Sequence, residues 1–339
     1  MNSPQPSVRS RPKASIMVIT YNHEKYIAQA LESVLMQQTD YNYEINVIED
    51  CSTDRTQEII LRYKAKHPDK INTYFNAKNV GTLSPPPQKV FYEGFKTLQG
   101  DYLAILEGDD YWSSPHKLQK QMAFLEANPD FVACAHNTMK VYEDGRTPPH
   151  RFQYFDGIKD VHTVQDFIGM TSFFHTSSIL YRNVLKGIPP WGFRSKWSCD
   201  IFNTIAHVQH GKLRYFNEDM SVYRNHTGGN FSNMTETRGR IFNIEGIRRY
   251  NRWLKCRYLK DFSFTLYRLC ISLIKDADKG RIAPLTPLER IKYRAVAALY
   301  GGIYDTLDRF PQLDPAVFWY KEPAKDSNPR LERVVPFLQ

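Results

Sequence analysis

Toward the N-terminus, short apolar runs alternate with helix-period segments, and this alternation constrains the fold more than any other feature of the chain. Ile16–Ile19, Ile45–Ile48 and Tyr102–Leu106 read as strands, and Ile71, Thr73 and Phe75 alternate as another. Between them Ile27, Leu31, Val34 and Leu35 recur at helical spacing to about Gln37. A second helix runs through Ile59, Ile60 and Tyr63 behind Asp54-Arg-Thr-Gln57, which reads as a capping box. A third follows the Pro-rich stretch Ser84–Pro87 through Val90, Phe91 and Leu98. A fourth passes through Leu118, Met122 and Leu125, with Ser114-Pro115 as its expected N-cap and first-turn pair. Strand–helix units at this spacing imply an α/β fold: a mostly parallel, Rossmann-like sheet with right-handed crossovers and flanking helices.

Three of the strands end in polar or acidic residues: Thr20-Tyr21-Asn22, Glu49-Asp50, and Glu107-Gly-Asp109-Asp110. In a parallel sheet these ends share the carboxyl edge, where α/β proteins bind ligands. The third is the most pointed, because Leu103–Leu106 runs straight into three carboxylates within four positions. Carboxylates that close repel one another unless a cation lies between them, so a hard divalent ion is the natural third party.

Composition sets the remaining bounds. The chain has 339 residues and is 42% hydrophobic, enough for a sizeable core. Its five cysteines (Cys51, Cys134, Cys199, Cys256, Cys270) are scattered without a CxxC pair, so neither a zinc site nor a disulfide framework is indicated and a reducing cytosol fits. Residues 1–13 are polar and Pro/Ser/Arg-rich and read as a disordered arm, not a signal peptide. No apolar run reaches the ~18 residues of a spanning helix. Further along, Phe131–Val141 continues the pattern, 143–160 reads as a surface loop, and Ser177–Tyr181 as a strand. Ile201–His210 reads as a helix and Leu213–Tyr223 as two short strands. Residues 236–300 carry 15 Lys and Arg against 6 Asp and Glu, the whole of the +9 net charge.

Thr20-Tyr21-Asn22 after an apolar strand resembles the opening of the inverting family 2 glycosyltransferases, which have the GT-A fold. Ile48-Glu-Asp50-Cys-Ser-Thr-Asp54-Arg-Thr56 is similar to that family's strand-Asp-x-Ser-x-Asp-x-Thr signature. Glu107-Gly-Asp109-Asp110 stands in the place of its DXD motif, with Glu where Asp is usual. Asp200 at a helix start and Val222-Tyr-Arg-Asn-His226-Thr-Gly-Gly229 resemble its later segments. The resemblance covers roughly residues 13–230. It implies a GT-A domain over 14–235, with a nucleotide-sugar half (14–142) and an acceptor half (143–235). A basic helical extension over 236–339 lies outside the resemblance.

Such a transferase moves a sugar from a nucleoside-diphosphate donor, by implication a UDP-sugar, to a hydroxyl of a saccharide or lipid-linked saccharide. Bacterial surface polysaccharide or glycoconjugate synthesis is the implied setting. The resemblance implies Mn²⁺ or Mg²⁺ on the departing diphosphate, with Asp109, Asp110 and His226 as metal ligands and Glu107 as a further metal or ribose contact. Thr20, Tyr21, Asn22, Asp50, Asp109 and Arg224 would bind the donor nucleotide: Tyr21 stacks on the base, Asp50 accepts from its imide N–H, and Arg224 adds positive charge. Asp200 would be the general base that takes the acceptor proton. Asp50 also suits an Asx turn around Ser52, and Asp200 a helix N-cap. Glu49 should point away from the site by strand alternation, and Asp54 is better suited to capping. His23 suits a helix start, and His207 and His210 lack a third zinc ligand.

Two other classes fit less well. A nucleotidyltransferase would need a Gly-rich basic loop where Tyr21-Asn-His-Glu24 stands. A non-catalytic nucleotide- or glycan-binding module would not need Asp200. In the extension Phe262, Leu266, Leu269 and Leu273 share one face, while Lys260, Arg268 and Lys275 carry charge. That face suits packing on the catalytic domain or on a second subunit of a homo-oligomer. It equally suits peripheral contact with an anionic leaflet on the cytoplasmic side. No nucleic-acid partner is expected.

Overall fold

A computed structural model describes residues 12–81, 89–152, 158–169, 173–185, 199–228 and 235–309. The N-terminal half opens β1 (Ala14–Thr20), α1 (Ile27–Leu35), β2 (Tyr43–Glu49), α2 (Thr56–Lys66), β3 (Ile71–Phe75), α3 (Lys89–Lys96) and β4 (Tyr102–Glu107). These four strands pair in parallel in the order β3-β2-β1-β4, with Thr20 opposite Glu49 and Ile19 opposite Glu107. The three polar strand ends therefore lie side by side. Both faces of this sheet are covered, which is why its strands read as nearly unbroken apolar runs. Ile16 and Val18 pack with Ile27, Leu31, Ile60 and Met122 on one side. Met17, Ile48, Leu103 and Ile105 join Val90, Phe91, Phe202 and Ile205 on the other.

The chain continues through β5 (Tyr111–Trp112), α4 (Lys117–Ala127), β6 (Phe131–Tyr142), β7 (His150–Arg151), β8 (Val161–His162) and α5 (Val164–Ile168). Then come β9 (Leu180–Arg182), α6 (Cys199–Val208) and β10 (Lys212–Asn225). The full order is β3-β2-β1-β4-β9-β6-β10-β5, with β7 on β6 and β8 on β10. β9 runs antiparallel between β4 and β6, while β10 is parallel to β6. This is the helix-flanked α/β architecture expected from the sequence, but with a mixed sheet: among the described strands β3-β2, β2-β1, β1-β4 and β6-β10 pair in parallel and the other five pairings are antiparallel.

Three local expectations are corrected. Leu213–Tyr223 does not divide into two strands: β10 is one 14-residue strand whose polar Asn217-Glu-Asp219 stretch is absorbed by register shifts against β6. Helix α4 starts at Lys117 and not directly after Ser114, because Gln37 from the end of α1 acts as its cap. Gln37 Oε1 accepts from Leu118 N at 3.0 Å, and Gln37 Nε2 donates to the Ser114 carbonyl at 2.7 Å. Asp54 does cap α2, accepting from Thr56 N at 2.9 Å, but Gln57 donates to Glu49 (2.6 Å) and does not close the box.

The C-terminal helices are α7 (Glu236–Trp253), α8 (Leu259–Asp278) and α9 (Pro287–Arg309). Phe262, Leu266, Cys270 and Leu273 on α8 are fully buried against Ile244, Ile247 and Tyr250 of α7 and Tyr293, Val296 and Tyr300 of α9. Phe202 of α6 meets Tyr250 and Trp253 with ring centroids 5.2 and 4.5 Å apart, which joins the helices to the sheet's cover. Glu245 on α7 pins α9 through Lys292 at 2.7 Å. The shared apolar face is thus spent on packing within the chain. No described helix is long and apolar enough to cross a membrane.

Candidate active site

The carboxyl ends of β2, β1 and β4 form one rim. Thr20 is buried; its carbonyl accepts from Asp50 N at 3.0 Å, and its hydroxyl lies 3.2 Å from His23 Nδ1. Beyond the strands, Asn22 and Cys51 adopt left-handed backbone (φ 54° and 63°), a conformation that turns each chain sharply. The two turns are tied together: Asn22 N donates to Ser52 Oγ at 2.9 Å, and Thr53 N donates to Asn22 Oδ1 at 2.8 Å. Asn22 therefore shapes the rim through Thr53. Tyr21 is 41% exposed and presents its ring to solvent.

Glu49 and Asp50 are separated as strand alternation requires. The buried Glu49 carboxylate accepts from Ser52 N, Cys51 N and Gln57 Nε2 at 2.6, 3.1 and 2.6 Å and builds the turn. Asp50 faces the other loop. Its Oδ1 accepts from Asn76 Nδ2 (2.8 Å) and Val80 N (2.9 Å), and its Oδ2 from Gly81 N (2.7 Å). The Asx turn around Ser52 is absent; Glu49 does that work.

The acidic loop is folded tightly on this rim. Gly108 N donates to the Ile19 carbonyl at 2.8 Å, and Asp110 N to the Glu107 carbonyl at 3.0 Å. A Cβ at position 108 would lie 2.6 Å from Thr20 Oγ1, 2.7 Å from Thr20 Cβ and 2.9 Å from His23 Nδ1, so only glycine fits. Gly108→Ala is expected to cost about 1–3 kcal/mol of stability and to push the three carboxylates off the rim. Denaturant titration checks this, and an unchanged midpoint would contradict the packing described.

The three carboxylates sort into two sets. Asp109 Oδ2 accepts from His226 Nε2 at 3.0 Å, with His23 Nε2 at 3.8 Å. Burial favours the neutral acid there, but the His226 hydrogen bond and the nearby His23 outweigh it and hold the carboxyl below its usual range. Asp110 is 2% exposed; its Oδ1 accepts from Arg224 N at 2.9 Å, and its Oδ2 faces His175 Nε2 at 3.7 Å. Burial, then repulsion from Asp109 and Glu107, push its pKa well above the usual carboxylate range. Glu107, Asp110 and His175 offer ligand atoms all within 4.8 Å of one another, the cluster among the described residues suited to a metal ion.

His175 was not singled out in the sequence. It precedes the 3₁₀ turn Thr176–Ser178, and β9 carries it beside β4. Its ring stacks on Tyr223 at 4.5 Å, and Nδ1 lies 2.8 Å from Ser177 Oγ. Ser177 Oγ donates to Ser221 Oγ at 3.0 Å, and Ser221 Oγ lies 2.8 Å from Thr138 Oγ1. Burial lowers the imidazole pKa to about 4, leaving it neutral and able to ligate.

Two expectations change. His226, expected beside Asp109 and Asp110 on a metal, is hydrogen-bonded to Asp109 and tilted against Tyr26 (4.8 Å), and it is not among the three residues whose ligand atoms converge. Arg224 is not a free cation. Its Nε donates to the Asp109 carbonyl (2.9 Å), its Nη2 to Gln29 Oε1 (2.7 Å), and its Nη1 lies 3.6 Å from Glu143 Oε1. It brackets the acidic loop. Asp200 is the second described residue of α6; the residues before Cys199 and the Asp200 side chain lie outside the described residues, as does Gly229.

Residues 15–188 match the family Glycosyl transferase family 2. An uncharacterized protein of Mycobacterium tuberculosis is 30% identical over 234 residues, 68% of this chain and 64% of that one. An uncharacterized glycosyltransferase of Nostoc is 30% identical over 228 residues, covering 64% of this chain and 66% of that one. The chain thus spans just under two thirds of the length of these relatives. The crystal structure of S. aureus TarS 1-349 in complex with UDP-GlcNAc superposes with a TM-score of 0.51 at 19% identity, over 87% of this chain and 73% of that one, a likeness of fold. With the family match over half its length and strand ends arranged to fit, this chain belongs to glycosyl transferase family 2.

Proposed function

We propose that the chain is a metal-dependent inverting glycosyltransferase that takes a sugar from a nucleoside-diphosphate donor, with UDP the favoured nucleotide, and delivers it to a saccharide or lipid-linked saccharide hydroxyl in surface polysaccharide synthesis. The observation that carries this reading is the meeting of Tyr21, Asp50 and the Glu107–Asp110–His175 cluster on one rim. Tyr21 is exposed for stacking on the base. Among the described residues Asp50 Oδ2 accepts from Gly81 N, and a carboxylate oxygen has a further lone pair that suits an imide N–H.

Two carboxylates and a neutral imidazole are a mixed oxygen–nitrogen donor set that suits Mn²⁺ better than the oxygen-preferring Mg²⁺. Glu107, Asp110 and His175 would hold the ion, which supplies charge neutralisation for the departing diphosphate. His175 Nδ1 accepts from Ser177 N at 3.3 Å, which places the ring proton on Nε2 in the metal-free protein; ligation through Nε2 would move that proton to Nδ1, 2.8 Å from Ser177 Oγ. Asp109, braced by His226 and His23, stays ionised beside the cluster and suits a ribose hydroxyl. Asp200 takes the proton of the acceptor hydroxyl as that oxygen attacks the anomeric carbon. The bond to the diphosphate breaks on the opposite face, so the configuration inverts.

Incubation with a panel of UDP-, GDP- and TDP-sugars tests this reading. Release of a nucleoside diphosphate is expected from one donor class, and proton NMR of the transferred sugar should show the opposite anomeric configuration to the donor. A retained configuration, or no release from any donor, would overturn it.

A further inference from the structure

We infer that the outward face of α8, with the groove it shares with α9, docks the protein on an anionic lipid bilayer. Phe264, Tyr267, Arg268, Ile271, Lys275 and Lys279 recur at three- and four-residue spacing, so they line one stripe about 22 Å long. Phe264 and Tyr267 are each 40% exposed, although the opposite face of α8 is already filled by Phe262, Leu266, Cys270 and Leu273. These rings do not complete the helical core; they are left outside it.

The cations on the stripe are equally uncommitted. Arg268, Lys275 and Lys279 are exposed and form no ion pair with a described residue; Arg268 lies over the Phe264 ring at 5.5 Å. The neighbouring acids are already paired with other cations. Asp276 holds Arg240 and Arg281 at 2.7 and 3.2 Å, Asp278 pairs with Arg290, and Asp308 holds Lys260 at 2.8 Å. Asp305 stands at the aromatic end of the groove.

Tyr267 joins two depressions. One, of about 370 Å³, is lined by Arg268, Lys275, Lys279 and Arg281 together with Asp276; the other, of about 310 Å³, lies between Phe264, Tyr267 and Tyr304 over a floor of Ala297, Ala298 and Gly302. A Cβ at Gly301 would come within 3.2 Å of the Tyr267 ring, so glycine lets that ring lie against α9. Phosphate-binding cations beside an aromatic-walled apolar groove match the two layers of a bilayer surface, headgroup and upper acyl region. A nucleic-acid duplex would satisfy the cations and leave the groove and rings unused.

The test does not depend on the donor site. The full chain is sedimented with vesicles of phosphatidylcholine alone and of phosphatidylcholine mixed with phosphatidylglycerol. Binding is expected only with the anionic mixture. It should weaken at least about tenfold in a Lys275→Glu/Lys279→Glu variant and also in a Phe264→Ser/Tyr267→Ser variant, with release of nucleoside diphosphate from a soluble donor unchanged in both. Equal binding to neutral vesicles, no binding to the anionic ones, or undiminished binding by both variants would overturn the inference.

Discussion

Asp200→Asn is expected to lower kcat by about two to four orders of magnitude while leaving donor affinity within a few-fold of wild type. The amide keeps the shape of the side chain and cannot take a proton, so the acceptor hydroxyl must attack without a base. The substitution also separates catalysis from helix formation. Asp200 is the second described residue of α6, and a carboxylate that serves only a helix start contributes about 0.3–1 kcal/mol through the helix dipole. A role confined to that helix would therefore show as a small drop in Tm with kcat intact. Stopped release of nucleoside diphosphate in a variant that still binds donor is the expected result. Wild-type kcat in this variant would move the base to another residue.

Asp110→Asn is expected to weaken divalent-metal binding about a hundredfold or more without lowering stability. Ordinarily the loss of a buried carboxylate leaves a partner stranded. Here, among the described residues, the hydrogen bond to Asp110 Oδ1 comes from Arg224 N, and an asparagine oxygen accepts it equally well. Burial and the neighbouring Asp109 and Glu107 oppose ionisation of Asp110, so removing its charge relieves the metal-free protein. The paired outcome, Tm unchanged or raised with Mn²⁺ affinity lost, distinguishes a ligand from a structural acid. A fall in Tm with unchanged Mn²⁺ affinity would assign Asp110 to the fold.

The parts of the fold legible in the sequence are those fixed by local periodicity. β1, β2 and β4 are buried on both faces, so their apolar runs and polar ends could be read directly, and with them Tyr21, Asp50, Asp109 and Asp110 as a common rim. What escaped is long-range. The start of α4 depends on Gln37, 81 residues from its partner Leu118. β10 looks interrupted at Asn217-Glu-Asp219 because a bulge hides polar residues that periodicity counts as a break. His175 joins Glu107 and Asp110 only because β9 runs antiparallel between β4 and β6. A histidine between two phenylalanines and a Thr-Ser-Ser run carries no local sign of that. Arg224 and His226 were placed near the right carboxylates, but pairing between specific atoms decided their roles, and spacing does not encode that.

The central claim is that a divalent ion at Glu107, Asp110 and His175 holds a nucleoside diphosphate on the carboxyl rim. Calorimetric titration of the wild-type chain with UDP, with and without Mn²⁺, tests it most directly. The account predicts binding that strengthens at least about tenfold when Mn²⁺ is present, with the gain abolished in His175→Ala. UDP affinity indifferent to Mn²⁺, or a metal-dependent gain that survives in His175→Ala, would contradict it.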